Sequence, residues 1–189
     1  MTALVTGNRQ HSFAERGLDL YETPACATEA LLRAEPVPLD VWEPAAGRGA
    51  IVNVLRAVGH EVIASDIADY GFPLDFQRNF LTETEAPADV ECILTNPPFK
   101  WAEQFVAHAL ELCPVVIMLL RFAFLESERR SGILEGRGLA RVHLFRKRLP
   151  MMYRDGWNGP KASSAMAFAW LVWRRDHTGP AIINRISWK

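Results

Sequence analysis

Apolar and polar residues along this chain follow two different periods, and segments of the two kinds alternate. Short apolar runs typical of buried strands are predicted at residues 39–42, 61–65, 90–95 and 115–120. Segments with helical periodicity are predicted at residues 25–34, 50–58 and 101–112. Thr23 is a candidate helix cap, and Pro24 suits a first helical turn. The alternation predicts an α/β fold with a mostly parallel, twisted sheet flanked by helices on both faces.

The C-terminal part of the chain has a different pattern. Residues 141–145 and 166–173 are predicted strands separated by a segment rich in Gly, Pro and Lys, which favours an antiparallel hairpin at the sheet edge. Residues 148–165 form the candidate substrate loop of this hairpin, although an ordinary hairpin loop explains the pattern as well. Residues 1–20 are polar and lack a clear period, as in an arm or a lid. We predict a single domain over residues 1–189.

The charge is divided unevenly along the chain. The 189 residues are 49% hydrophobic and 23% charged, as expected of a globular protein, and the net charge is −1. Residues 1–120 hold 7 Lys and Arg against 17 Asp and Glu, whereas residues 121–189 hold 14 against 5. The two portions therefore carry net charges of −10 and +9. This asymmetry indicates either a basic surface that faces a polyanion or two portions that attract each other.

Cysteine usage and hydropathy exclude several classes of protein. Cys26, Cys92 and Cys113 are too few and too scattered for a disulfide framework or a zinc ligand set. We therefore expect a reducing cytoplasm and no bound metal. The most apolar stretch, residues 115–120, is far shorter than the roughly 20 residues of a membrane span. No membrane partner is expected.

Two motifs in the first half of the chain indicate a ligand that contains adenosine. Residues 43–49 read EPAAGRG between a predicted strand and a predicted helix, so their glycines let the backbone approach a ligand at the end of the sheet. Asp66 ends the next strand, where a carboxylate can accept hydrogen bonds from the two hydroxyls of a ribose. Each motif also has a plain structural interpretation, as a tight turn and as a cap of the following turn.

A third motif, Asn96-Pro97-Pro98-Phe99, follows another strand of the same sheet. Two successive prolines exclude helix and central strand, so the chain is extended here. A planar exocyclic amine is a poor nucleophile because its lone pair is shared with its ring. If the Asn96 side-chain oxygen and the Pro97 carbonyl accept its two hydrogens, the lone pair becomes available, while Phe99 stacks on the base. The motif therefore favours chemistry on a planar NH2 group.

With these motifs in this order, the chain resembles the S-adenosylmethionine-dependent DNA methyltransferases of the adenine-N6 type, in particular small phage- and prophage-encoded members. The resemblance begins with Tyr21-Glu22-Thr23-Pro24 and includes the three motifs above. It extends through residues 120–126, 161–164 and 167–173, and so covers nearly the whole chain. It implies a Rossmann-like class I methyltransferase fold with a C-terminal antiparallel hairpin.

The resemblance also implies a role for each matching residue. S-adenosyl-L-methionine would be bound by Tyr21, Thr23, Glu43, Ala45, Gly47 and Asp66. The adenine of the cofactor would meet either Asp75 or Asn79. Tyr21 would either cover the cofactor or only staple the first helix. The catalytic residues would be Asn96, Pro97 and Phe99. Candidate substrate contacts are Pro98, Lys100, Arg121, Arg154, Trp157 and Lys161.

The expected activity is transfer of a methyl group from S-adenosyl-L-methionine to the N6 amine of adenine in DNA. The same chemistry also suits RNA or a protein glutamine amide. A contrasting hypothesis is a non-catalytic module that binds the cofactor or DNA. The length leaves no room for a separate target-recognition domain. The protein would therefore act with relaxed specificity, read a short context through the hairpin near residues 151–164, or depend on a partner protein. Whether it is a monomer or a homodimer is open.

Overall fold

The computed structural model describes residues 21–151 and 166–189, which contain one sheet of eight strands. The strands are β1 (Asp40–Glu43), β2 (Glu61–Asp66), β3 (Phe76–Gln77), β4 (Cys92–Thr95), β5 (Val115–Arg121), β6 (Leu139–Phe145), β7 (Phe168–Arg174) and β8 (Ile182–Ile186). The helices are α1 (Ala25–Ala34), α2 (Ala50–Ala57), α3 (Ala102–Leu112) and the short α4 (Ser131–Leu134).

The strand order is β3-β2-β1-β4-β5-β7-β6-β8. All neighbouring strands are parallel except at β7, which is antiparallel to both β5 and β6. The mostly parallel sheet and the antiparallel pair of β6 and β7 confirm the predicted fold class. The hairpin does not lie at the sheet edge as expected, because β8 pairs with the outer side of β6.

Strand β8 was not predicted from the sequence, because most of its residues are exposed. Ile182 and Ile183 are both more than half exposed, so the strand lacks the buried face that produces a period of two. Strand β3 was also missed, since it has only two residues and both are exposed. The remaining predicted strands and the three long helices lie within two residues of their predicted bounds.

Strand β5 shows why the centre of the sheet reads as one continuous apolar run. Val115, Ile117 and Leu119 pack into one core with α1 and α2, whereas alternate residues of the strand pack into a second core with α3. Both faces of β5 are buried, as is typical of parallel sheets covered by helices. The late tryptophans, Trp170 and Trp173, are fully buried, one in each core.

The prediction that Thr23 caps α1 is wrong. The N-cap position is Pro24, and no side chain caps the helix. The Thr23 hydroxyl is buried and accepts a hydrogen bond from the Asn96 side chain instead. The segment before α1 is thereby attached to the end of β4.

The strand directions give the sheet two functionally different edges. The strands β1, β2, β4, β5, β6 and β8 all end at the same edge, which we call the carboxyl edge. Their first residues lie at the opposite edge, which we call the amino edge. Open parallel sheets bind ligands outside the carboxyl ends of their strands.

Candidate functional site

A cavity of about 650 Å³ lies at the carboxyl edge, beyond the ends of β1, β2 and β4. Its volume is within the roughly 300–1,000 Å³ of small-molecule sites. Predicted site residues form much of its lining, namely Tyr21, Thr23, Glu43, Ala45, Gly47, Asp66, Asn79, Asn96, Pro98 and Lys100. The structure therefore brings together residues from five separate segments of the chain.

The turn after β1 is shaped by its two glycines. Gly47 and Gly49 adopt left-handed φ angles of 54° and 75°, which glycine tolerates far better than other residues. A Cβ atom on Gly49 would come within 2.1 Å of the Phe72 ring. These constraints hold the backbone of the turn close to the cavity, and α2 begins directly after it.

Glu43 is a buried carboxyl group in the cavity wall. The residue is 2% exposed, and its Oε2 atom has no hydrogen-bond partner among the described residues. Burial raises the pKa of Glu43 well above its ordinary value, and the nearby negative charge of Asp66 adds to this rise, although a hydrogen bond from the Val52 backbone opposes it. The Glu43 carboxyl group therefore lies in the cavity wall with unused hydrogen-bonding capacity.

Asp66 connects the turn after β1 to the end of β2. Its Oδ2 atom accepts a hydrogen bond of 2.8 Å from the Gly47 amide, and its Oδ1 atom accepts one of 3.0 Å from the Ala68 amide. Burial raises the pKa of Asp66, while these backbone hydrogen bonds lower it. The Ile67 backbone also hydrogen-bonds to this carboxyl group. Because the two oxygens of a carboxylate can accept about four hydrogen bonds in all, the group retains capacity for a ligand in the cavity.

The side-chain amide of Asn96 is held in one orientation. Its nitrogen donates hydrogen bonds of 3.0 Å to the Tyr21 carbonyl and of 3.0 Å to the Thr23 hydroxyl. The Tyr21 carbonyl can only accept, so the nitrogen must be on that side of the amide. The Asn96 oxygen is buried without a partner among the described residues. It is thus available as an acceptor, which is the orientation that the sequence motif requires.

The ring of Phe99 contacts protein groups. Tyr21 stacks on it with ring centroids 4.7 Å apart, and the Arg121 guanidinium lies 4.1 Å from its centroid. Phe168 is tilted against it at 5.7 Å. Neither Phe99 nor Pro97 belongs to the lining of the cavity, whereas Pro98 and Lys100 do. A base that stacks on Phe99 as expected must therefore take the place of Tyr21 or Arg121.

Asp75 and Asn79, the two candidates for an adenine contact, lie in different places. Asp75 accepts a 2.8 Å hydrogen bond from the Ala64 amide and pairs with Arg56 at 3.4 Å, and it is not part of the cavity lining. Asn79 lines the cavity, and its side-chain oxygen accepts from the Leu81 amide. The geometry favours Asn79.

Several cavity residues were missed by the sequence analysis. Ile67 follows Asp66 directly and is 56% exposed, Trp101 is 44% exposed, and both line the cavity. The other missed residues include Tyr70, Leu81 and Phe105. An exposed apolar residue immediately after the strand-ending acid was a signal that could have identified Ile67.

The remaining substrate candidates divide into two groups. Lys100 and Arg121 are at the carboxyl edge, and the Arg121 Nε atom is buried without a partner among the described residues. Arg154, Trp157 and Lys161 lie outside the described residues, as do residues 1–20 and most of the predicted substrate loop, 148–165.

Within residues 21–151 and 166–189, no group of three or more His, Cys, Asp or Glu side chains could hold a metal ion. In the same ranges no helix is long and apolar enough to span a membrane.

The fold is that of class I methyltransferases. The chain is similar to the crystal structure of PH1948 from Pyrococcus horikoshii, a candidate RNA methyltransferase, with a TM-score of 0.62 and 18% identity over 84% of this chain and 88% of that one. It is similar to the 23S rRNA methyltransferase ErmE, with a TM-score of 0.54 and 17% identity over 79% of this chain and 66% of that one.

A third similar structure is the modification subunit of a candidate type I restriction enzyme from Vibrio vulnificus, with a TM-score of 0.58 and 14% identity. The match covers 91% of this chain and 48% of that subunit. No protein-family model matches the sequence, and no curated protein matches it either. At these identities the structural likeness shows the fold, while activity must be argued from the site.

Proposed function

We propose that this protein transfers a methyl group from S-adenosyl-L-methionine to the exocyclic N6 amine of adenine in DNA. The observation that carries the proposal is the Asn96 side chain at the cavity wall. Its oxygen is buried without a partner among the described residues, and two hydrogen bonds on its nitrogen fix the amide. A fixed acceptor at the wall of a ligand-sized cavity is what an amine donor requires. The fold of class I methyltransferases supports the same conclusion.

The described residues fit the cofactor. The cavity has a ligand-sized volume, an apolar wall that includes Ile67 and Phe105, and an unused acceptor or donor at Glu43. Asp66 would bind the ribose hydroxyls, Asn79 would lie beside the adenine, and Glu43 would meet the amino-acid end. When bound, the cofactor supplies the methyl group on a positively charged sulfur.

The residues around the acceptor amine would act by orientation and electrostatics. The Asn96 oxygen and the Pro97 carbonyl would accept the two amine hydrogens, which frees the nitrogen lone pair for attack on the methyl group. The amide does not need to rotate, since the Tyr21 carbonyl and the Thr23 hydroxyl already fix it. Once the base has been extruded from a duplex, at a cost of a few kcal/mol, Phe99 would stack on it after Tyr21 or Arg121 has moved off the ring.

The test is incubation of the protein with cofactor labelled in its methyl group and with separate pools of DNA, RNA and unfolded protein. Digestion of the labelled pool then identifies the product. We expect label in DNA, as N6-methyl-2′-deoxyadenosine. Label confined to RNA or to glutamine would retain the chemistry and refute the DNA acceptor. The absence of label from every pool, with cofactor binding intact, would instead favour the non-catalytic module.

A further inference from the structure

Five exposed cations lie at or just beyond the ends of β6 and β8, at the carboxyl edge. Arg146, Lys147 and Arg148 come directly after β6, and Arg185 and Lys189 lie at the end of β8 and beyond it. We call these five residues the basic ridge. They lie on the same edge of the sheet as Asn96, because β6 and β8 run in the direction of β4 and β5.

The two segments of the basic ridge form one surface. The Arg146 amide donates a hydrogen bond of 2.9 Å to the Ile186 carbonyl, and the Trp188 indole donates one of 3.1 Å to the Lys147 carbonyl. The Lys189 ammonium lies 5.5 Å from the Trp188 ring. The cations of both segments are therefore held side by side at the end of the sheet.

Most other described arginines of the C-terminal portion pair with an acidic side chain, whereas no cation of the basic ridge does so among the described residues. Arg137 pairs with Glu111, and Arg141 and Arg174 pair with Glu35. Among residues 21–151 and 166–189, no ion pair involves a cation of the basic ridge. The only Asp or Glu within 139–151 and 166–189 is Asp176, which follows β7 at the amino edge.

The spacing of the strands sets the distance between the basic ridge and Asn96, which lies at the end of β4. Strand β6 is three strands from β4 in the sheet, and β8 is four strands away. At about 4.8 Å per strand, these separations are roughly 14 and 19 Å. One nucleic-acid strand carries a phosphate every ~3.4 Å along the helix axis, so this distance corresponds to about four to six nucleotides.

We propose that the basic ridge binds the phosphate backbone of the substrate nucleic acid on one side of the target base. This inference rests on the proposed function for its link to Asn96. Exposed cations that have no acidic partner in the described part of the chain, aligned beside an acceptor site for a base, match the regular negative charge of a nucleic acid strand. The phosphate contacts fix the position of the strand, and the cavity and Asn96 select the atom that reacts.

The test measures binding and therefore does not depend on turnover. The variant Arg146→Gln/Lys147→Gln/Arg148→Gln removes three charges from exposed positions. The control Arg56→Gln/Arg137→Gln/Arg175→Gln removes the same charge from arginines away from the carboxyl edge. Fluorescence anisotropy with labelled single-stranded and duplex DNA, repeated over a series of NaCl concentrations, gives the affinity and its salt dependence. Calorimetry with the cofactor and thermal unfolding monitor the integrity of each variant.

We expect the ridge variant to bind DNA at least 10-fold more weakly than wild type. The slope of log K against log salt should fall by about 2 to 3, since each phosphate contact contributes roughly 0.7–0.9. The control should keep the wild-type slope, and both variants should keep the cofactor affinity. A ridge variant with an unchanged slope overturns the proposal. It is also overturned if wild type binds phosphatidylglycerol vesicles more tightly than either DNA form. Failure of the proposed function has a different signature, which is DNA binding through the ridge without methylation of any acceptor.

Discussion

The two edges of the sheet treat their charges in opposite ways. At the amino edge, Glu35 is fully buried and pairs with Arg141 and Arg174, and it contacts His143 at 2.8 Å. At the carboxyl edge, Glu43 and Asp66 line the cavity. Within residues 21–151 and 166–189, no cation pairs with either of them, and no acidic side chain pairs with the basic ridge. Charges that neutralise one another stabilise the fold, whereas charges kept apart remain available to ligands.

The ion pairs among the described residues bear on both interpretations of the uneven charge distribution, attraction between the two portions and a basic surface that faces a polyanion. Part of the basic portion does attract the acidic portion, since Glu35, Glu103 and Glu111 pair with arginines from residues 121–189. The basic ridge belongs to the part that forms no such pair among the described residues. The difference predicts that mutations at the two edges have separable effects on activity and on stability.

The largest expected effect is at the carboxyl edge. Asn96→Ala should lower the rate of methyl transfer about 1,000-fold, because it removes a fixed acceptor of the reacting amine. Cofactor affinity should stay within about twofold, and the free energy of unfolding should fall by only about 1 kcal/mol from the lost hydrogen bonds. Single-turnover rates, calorimetry and urea unfolding check these expectations. Asn53→Ala, on the exposed side of α2, is the matched control. A near wild-type rate in Asn96→Ala would contradict the mechanism.

The corresponding change at the amino edge is protonation of Glu35. Burial opposes ionisation, but hydrogen bonds from His143, Arg141 and Arg174 outweigh it and lower the pKa of Glu35 from 4.5 to about 2. A lowered carboxyl pKa gives stability that is present above the unfolded pKa and is lost as pH falls through the folded pKa. We expect a loss of about 3 kcal/mol between pH 4.5 and pH 2, measured by urea unfolding.

Glu35→Gln provides the control for that measurement. It should be less stable than wild type near pH 7, and the difference between the two should shrink as pH falls toward 2. If the two proteins lose stability in parallel over this range, the Glu35 network does not carry the acid sensitivity.

A smaller effect is expected for cofactor binding. Asp66→Ala should weaken the affinity for S-adenosyl-L-methionine about 30-fold, equivalent to about 2 kcal/mol, since it removes charge-assisted hydrogen bonds to the ligand and the brace on the Gly47 amide. Isothermal calorimetry measures the change. Asp69→Ala is the control, because Asp69 is exposed and lies outside the cavity lining. Equal affinities for Asp66→Ala and wild type would refute the assignment of the ribose contact.

The smallest expected effect is that of Thr23→Val. It distinguishes whether Thr23 positions Asn96 or contacts the cofactor directly. Thr23→Val preserves the shape of the side chain but removes the acceptor for the Asn96 nitrogen. If Thr23 positions Asn96, kcat should fall about 10-fold with an unchanged cofactor affinity, and Thr23→Ser should restore it. A weaker cofactor affinity with unchanged kcat would instead support the direct cofactor contact implied by the family resemblance.

The sequence predicted the sheet and its long helices well because their residues are buried with a clear period. Strand β5, which has two buried faces, is one example, and the amphipathic helix α2 is another. The exposed edge strand β8 lacked such a signal. The local sequence also could not predict that β7 lies between β5 and β6, because strand order depends on pairing between distant segments.

Residue type and position at the end of a predicted strand were enough to select Asp66 and Asn96, and both line the cavity. Contacts between distant segments were not predictable. The Thr23 hydroxyl meets Asn96 rather than capping α1, and Arg121 lies on the Phe99 ring. The family resemblance made Asp75 a candidate for the adenine contact, but its carboxylate is directed to the Ala64 amide and to Arg56. Side-chain direction is set by packing that the sequence does not display.

The position of β7 has a consequence for synthesis on the ribosome. Strand β5 is made before β6, yet its open side pairs with neither β6 nor β8 but with β7, which is made later. Until residues 168–174 have left the exit tunnel, the apolar edge of β5 has no backbone partner, and β6 and β8 have no place in the sheet. An unpaired apolar edge strand is a site of aggregation. The growing chain is therefore most vulnerable immediately before its last two strands are complete.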